Sequence, residues 1–303
     1  MLDPKLLSFI GIIPNPSIKS IKDDNQALDI INNLNEHHVS AILLNDLSYI
    51  KPIHDNFKDF NIGVCNILSL DDAKKAIEYG ANFLVLPTCD TEILNFCKTN
   101  DILALPTVST PTEIKNMLDF GIKYMYIMPD TCGITTQGLD KYLDIFKEAR
   151  FFVNDINFLS VPNVCGVFTN DNQIIENTEQ TIKDMLGFEL IHLGINQNDS
   201  DEALQTAQTL CNLFGFKYYK KPKSHFAGRG FEVLNSIGRG THGHIGIYTP
   251  YPEKAMYYLE KKGVKFIDET ITRNKRSHLV NFAYLDLEIA GFGVHLINPD
   301  VKM

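Results

Sequence analysis

The chain has 303 residues, 44% of them hydrophobic, and a formal net charge of −9. That length holds two ordinary domains or one large one, with enough apolar material for real cores. The acidic balance argues against a nucleic-acid or anionic-membrane surface, and no run of about twenty apolar residues offers a spanning helix.

Up to residue 186, short apolar runs alternate with helical patterns. The eight runs are 9–14, 39–45, 61–67, 82–87, 102–108, 124–129, 149–154 and 164–168. Helix-like segments fall at 20–35, 69–79, 91–98, 112–120, 138–148 and 172–186. Near-continuous apolar strands between amphipathic helices predict a parallel sheet covered on both faces. Eight such units predict a closed (β/α)8 TIM barrel. The rival is an open doubly wound sheet. Its Gly-rich phosphate loop is missing, because the first strand runs into Pro14-Asn-Pro16, and no nucleotide cofactor is expected. The six cysteines, Cys65, Cys89, Cys97, Cys132, Cys165 and Cys211, form no CxxC pair. This reads as a reduced, cytoplasmic protein.

After Gly187 the pattern changes. A strand at 189–197 is followed by a helix at 201–214 and strands at 216–221, 224–227 and 230–235. The order then recurs, with a strand at 242–249, a helix at 252–262 and strands at 264–271, 278–286 and 292–298. This is βαβββ twice, an α+β domain with an internal repeat of roughly fifty residues. One module alone leaves its sheet face uncovered, so the two should pair. The division expected is 1–187 and 188–303.

Three segments of the front half carry a resemblance: Gly63–Ile67 with SLDDAKKAIEYGANFLVLPTCD after it, Pro106–Ile114, and Tyr126–Pro129. Together they resemble the 2-keto-3-deoxy-6-phosphogluconate / 4-hydroxy-2-oxoglutarate aldolase family over about residues 8–186. That resemblance implies a barrel that splits a 2-keto acid into pyruvate and an aldehyde through a lysine imine, commonly as a homo-oligomer. The family lysine lies three residues before a proline on the sixth strand, and here that position is Tyr126. A phenol forms no imine. Lys123 is expected at the wrong end and on the other side of the strand. The family glutamate falls at Leu43 and its threonine at Asn66, and the loops after Val153 and Phe168 lack phosphate-cradling glycines. The stretch 156–163 is too short for a full seventh helix.

Strand ends still bring polar residues to the face where barrel ligands bind. The candidate ligand site is Asn45, Asn66, Thr107, Asp130, Asn154 and Asp155, with Asn15, Asp46, Thr88, Ser109 and Asn170 nearby. The competing reading is that Asn and Asp simply cap helices and turns.

The repeat at 189–298 resembles the vicinal-oxygen-chelate (glyoxalase-like) superfamily. The resemblance implies a shared concavity with one metal ligand from each of four strands. The matching positions are His192, Glu232, His244 and His295, with histidine at 295 where glutamate is more usual. Three imidazoles and a carboxylate suit one divalent metal ion, Zn, Ni, Fe or Mn. Such an ion would act as a Lewis acid on a carbonyl or enediolate, with Glu232 as the catalytic base. Tyr248, Tyr284 and Arg239 are candidate contacts for an anionic substrate, and Arg273–Arg276 a candidate anion grip. His242 and His278 are expected to be peripheral.

Three readings follow. The first is a metal-dependent isomerase, epimerase or lyase of sugar-acid or 2-keto-acid metabolism, working in the rear domain on a small anionic hydroxy- or keto-acid. The second is a non-catalytic binding or regulatory protein on a degenerate barrel. The third is an aldolase-type lyase with a mechanism other than the Schiff base.

Overall fold

The computed structural model describes residues 12–14, 21, 23–36, 39–171, 178–276 and 279–298. Asn15, His278 and the start of the first predicted strand lie outside them. The chain forms two compact units, Met1–Ile182 and Lys183–Met303.

The first unit alternates strands and helices. Its strands are β1 (Ile12–Pro14), β2 (Ala41–Leu44), β3 (Asn61–Cys65), β4 (Phe83–Leu86), β5 (Leu103–Pro106), β6 (Tyr124–Tyr126), β7 (Arg150–Val153) and β8 (Val164–Thr169). Its helices are α1 (Asp24–Glu36), α2 (Ile50–Asn56), α3 (Leu70–Tyr79), α4 (Thr91–Thr99), α5 (Pro111–Phe120), α6 (Pro129–Cys132) and α7 (Thr136–Ile145), and α8 (Thr178–Leu186) runs across the division of the chain at 182/183. All strand pairs are parallel, in two arcs ordered β1-β8-β7-β6 and β2-β3-β4-β5. A bridge between Thr107 and Tyr126 joins the arcs at β5 and β6. This is a TIM-barrel-like α/β fold.

Several helices start where the sequence supplies acceptors. Ser69 caps α3, Asp90 caps α4, and Thr110 with Glu113 forms a reciprocal capping box at α5. The stretch after β7 is a single short 3-10 turn, Ile156–Ser160, as its length requires. The barrel interior is a packed core of Ile13, Leu43, Phe83, Val85, Leu105, Phe152 and Phe168. Phe168 stacks on Phe152 and on Phe83, with ring centroids 5.4 and 6.5 Å apart. These rings fit because Gly63 faces Phe83 without a side chain; a Cβ there would lie 2.0 Å from the ring.

The second unit is one eight-stranded sheet. Its strands are β9 (Glu189–Asn196), β10 (Tyr218–Lys221), β11 (Ser224–Ala227), β12 (Phe231–Leu234), β13 (Gly243–Tyr248), β14 (Thr272–Arg273), β15 (Val280–Ile289) and β16 (Phe292–Ile297). The order is β10-β11-β12-β9-β13-β16-β15-β14. Each half runs from a first strand, β9 or β13, through a helix, α9 (Ser200–Phe214) or α10 (Pro252–Lys261), and returns beside that strand with β12 or β16. The halves meet antiparallel at β9 and β13. One predicted strand is replaced. Of 264–271, only Phe266 bridges the sheet, and Asp268–Thr270 turns as a 3-10 helix. The Ile271 N–H bonds back to the Asp268 carbonyl, which removes it from any strand ladder. No helix among the described residues is long and apolar enough to cross a membrane.

Candidate functional site

Tyr126 ends β6 and packs its ring against the barrel-interior core, edge-on to Phe168 at 5.4 Å. Burial pushes its phenol up to about 12, and the neighbouring Cys65 and Asp130 push the same way. Tyr126 is therefore a protonated hydrogen-bond donor at neutral pH. Burial also raises the Cys65 thiol to about 11. Lys123 precedes β6 and pairs with Glu148 at 2.8 Å, with more than half of its side chain exposed. It takes no part in the mouth.

Of the six predicted mouth residues, two are joined directly: the Asn154 amide donates to Asp130 Oδ2 at 3.2 Å. The other Asn154 atom, Oδ1, is buried, and no donor among the described residues meets it. Local turns take up others. Thr107 Oγ1 donates to the Leu86 carbonyl at 2.7 Å, and Asp155 accepts from the Asn157 N–H at 2.9 Å. Asn66 is exposed in the left-handed region at φ 62°, and Asn45 is half-buried just after β2. Asp46 caps the 3-10 turn after β2, and the Ser109 N–H is held by Glu113. Thr88 and Asn170 are exposed. The loop expected after Tyr126 is instead the short helix α6, with Pro129 in its first turn.

In the second unit, strand register gathers the four predicted residues. Gly246 pairs with both His192 and His295, while Gly194 pairs with both His244 and Glu232. His192 Nε2 lies 3.0 Å from His244 Nε2 and 3.1 Å from His295 Nε2. Glu232 Oε2 stands 3.5 Å from His192 and 3.4 Å from His244, and Glu232 Oε1 accepts from Ser224 Oγ at 2.7 Å. The three histidines are 2–4% exposed. Two glycines make room for the rings. A Cβ at Gly194 would sit 2.2 Å from the His244 ring, and one at Gly246 would sit 2.5 Å from the His192 ring. The signal in the sequence is a repeated His-x-Gly, at 192–194 and 244–246.

Burial lowers His192 to about 4 and His295 to about 3, so both are neutral near pH 7. Burial alone would raise Glu232, but hydrogen bonds from His244 and Ser224 and the adjacent imidazoles bring it down to about 2. It is therefore ionised. The imidazole nitrogens lie within 4.8 Å of one another, a donor set with the spacing of metal ligands. Around the cluster stand Phe282 and Tyr284, with ring centroids 4.6 and 5.1 Å from that of His295. The Arg239 guanidinium lies 5.5 Å from the Tyr284 centroid. Sequence reasoning named Tyr284 and Arg239 by proximity alone and missed Ser224 and Phe282. Arg273 bonds Glu253 at 3.0 Å, and His242 packs on Phe292, so neither contributes here.

The family model for "KDPG and KHG aldolase" matches residues 12–166. The chain belongs to the KDPG and KHG aldolase family. Two curated relatives are 2-dehydro-3-deoxy-phosphogluconate aldolases. That of Treponema pallidum is 28% identical over 80 residues, 26% of this chain and 38% of its own. That of Pseudomonas aeruginosa is 26% identical over 128 residues, 40% of this chain and 58% of its own. The chain thus spans about half the length of the curated relatives it matches or less. The solved 4-hydroxy-2-oxoglutarate aldolase/2-deydro-3-deoxyphosphogluconate aldolase from TTHB1 has a TM-score of 0.53 and 22% identity. It covers 61% of this chain and 98% of its own. The aldolase of Legionella pneumophila, solved with pyruvate captured as a covalent carbinolamine, has a TM-score of 0.49 and 20% identity over 59% of this chain and 94% of its own.

This membership corrects the cofactor expected from the sequence. One divalent ion, Zn, Ni, Fe or Mn, is overturned as cofactor, because the aldolases of this family work through a lysine and pyruvate with no divalent metal.

Proposed function

We propose that the protein is an aldolase-type lyase of sugar-acid metabolism that takes a small anionic 2-keto acid at the barrel mouth and opens it without an imine. One observation carries the reading. By the sequence alignment Tyr126 takes the position of the family lysine, and it is a protonated phenol near Asp130, which accepts a hydrogen bond from the Asn154 amide. The step balances as acid–base chemistry. The Asp130 carboxylate takes the proton of the substrate's 4-hydroxyl, and the C3–C4 bond breaks. Its electron pair moves through C2 onto the keto oxygen, and the resulting enolate accepts a hydrogen bond from Tyr126. The proton on Asp130 then passes to C3, leaving pyruvate and an aldehyde. A well-aimed donor to such an oxyanion contributes about 10²–10³ in rate. A covalent electron sink contributes more, so turnover is expected to be slow.

The test is exchange of the pyruvate methyl protons for deuterium in D₂O, followed by NMR, with and without borohydride. Exchange that borohydride does not quench supports the reading. Quenching, with pyruvate fixed to the protein, points to an imine from a lysine elsewhere. A second reading, keto-acid binding without turnover, is favoured by the local commitments of Thr107 and Asp155. It predicts saturable pyruvate binding with no exchange. For the second unit, the paired modules support a glyoxalase-like, vicinal-oxygen-chelate reading, with His192, Glu232, His244 and His295 as site residues and Glu232 as the candidate base.

A further inference from the structure

The second unit carries a group of side chains that the barrel chemistry does not use. Arg239 is half-exposed and forms a long ion pair, Nη2 to Glu269 Oε1 at 3.4 Å, with Glu269 itself 75% exposed. Pairs of this kind contribute little and exchange readily for a better partner. The guanidinium lies over the Tyr284 ring. Tyr284 pairs across the sheet with His295, and its ring centroid is 6.2 Å from that of His244. One aromatic ring therefore links an accessible cation to the buried imidazoles. Two of those imidazoles are incompletely satisfied, since the Nδ1 atoms of His192 and His244 are buried and meet no partner among the described residues. Buried polar atoms left this way lower stability, and their clustering marks a functional surface.

We propose that this face binds a short hydroxy- or keto-carboxylate. Arg239 holds the carboxylate over Tyr284, and His244 and His295 hydrogen-bond the ligand's neighbouring oxygen. The proposal rests on the reading of the second unit as a ligand site and stands apart from the barrel reading. Charge fixes the orientation. Glu232 is an anion at the inner end, in contact with His192 and His244, so it repels a carboxylate and accepts a hydrogen bond from a hydroxyl. Arg239 is the cation at the outer end. Its planar fork matches a carboxylate in two parallel hydrogen bonds, which a lysine does not reproduce. A dianion such as a phosphate ester would be repelled more strongly than a monoanion by Glu232. The class selected is therefore a monocarboxylate with an adjacent oxygen.

The test uses the full-length chain, with lactate, 2-hydroxybutyrate and 2-oxobutyrate as probes. Binding is followed in the imidazole ¹H–¹⁵N signals of His244 and His295, which lie outside the barrel. The expected result is a saturable shift of those signals in the parent, weakened about tenfold or more in R239A and only partly restored in R239K. E269Q releases Arg239 and should tighten binding about two- to threefold. Where R239A alters the ligand-free spectrum, R239Q replaces it. No imidazole response to millimolar acid in the parent overturns the proposal, as does affinity unchanged in R239A or R239Q. Pyruvate exchange at the barrel is read separately and does not depend on this outcome.

Discussion

Replacing Gly246 with alanine puts a methyl group into the His192 ring. The new Cβ would lie 2.5 Å from Cε1 and 2.7 Å from Nε2 of His192. Carbon–carbon contacts settle near 3.5–4.0 Å, so the ring must retreat by about 1 Å. It has nowhere to go. The His244 and His295 rings stand 5.1 and 5.0 Å away, and the Nε2 contacts of 3.0 and 3.1 Å are already short. Overpacking of this kind costs about 1–3 kcal/mol, and each hydrogen bond lost adds about 1 kcal/mol. A loss of about 2–4 kcal/mol is expected, from steric overlap rather than backbone strain. Gly230→Ala is the control, since nothing lies within 4 Å of its Cβ. Urea unfolding read from the imidazole signals of the second unit measures both. Equal stability of G246A and G230A would refute the packing of His192 against the β13 backbone.

The same logic in the barrel makes Gly63→Ala costly, because its Cβ would meet the Phe83 ring at 2.0 Å. A loss of at least about 2 kcal/mol in the first unit is expected, and a neutral result in urea unfolding contradicts the aromatic filling of the barrel. Glu113 is held below its ordinary value of 4.5, first by the Ser109 N–H and also by the Thr110 hydroxyl and N–H. A depressed carboxylate stabilises above its unfolded pKa and loses that contribution as pH falls below it. The difference in melting temperature between parent and E113Q should therefore shrink as pH drops below 4.5, and a pH-independent difference counts against the capping box. Tyr126→Lys places an amine where the family carries its lysine. Borohydride with pyruvate should then give a mass adduct in Y126K, and failure at every pH where the protein stays folded counts against the strand assignment.

The barrel was legible because buried parallel strands are written as plain apolar runs such as Phe83–Leu86, with cap residues such as Ser69 and Thr110 between them. The four rear residues were legible through the repeat, which places equivalent strands side by side. The metal was not, since a ligand-like donor set such as His192, His244 and His295 does not by itself name a cofactor. The mouth was over-read because Thr107 and Asp155 satisfy nearby backbone rather than a ligand, and single residues do not reveal which they will do. Ser224 and Phe282 were missed because their importance lies in cross-strand register, which local pattern does not encode. The strand predicted at 264–271 is cut short because Asp268–Thr270 turns as a 3-10 helix, leaving only Lys265–Ile267 bonded to β15.

The central claim, lyase chemistry led by a phenol at the imine position, is tested most directly by pyruvate release from 2-keto-3-deoxy-6-phosphogluconate and 4-hydroxy-2-oxoglutarate. Parent and Y126F are compared in a lactate dehydrogenase-coupled assay. The account predicts slow release by the parent on at least one substrate, and a drop of about 10²-fold or more in Y126F. Release that is equal in the two proteins, or absent from the parent with both substrates, contradicts it.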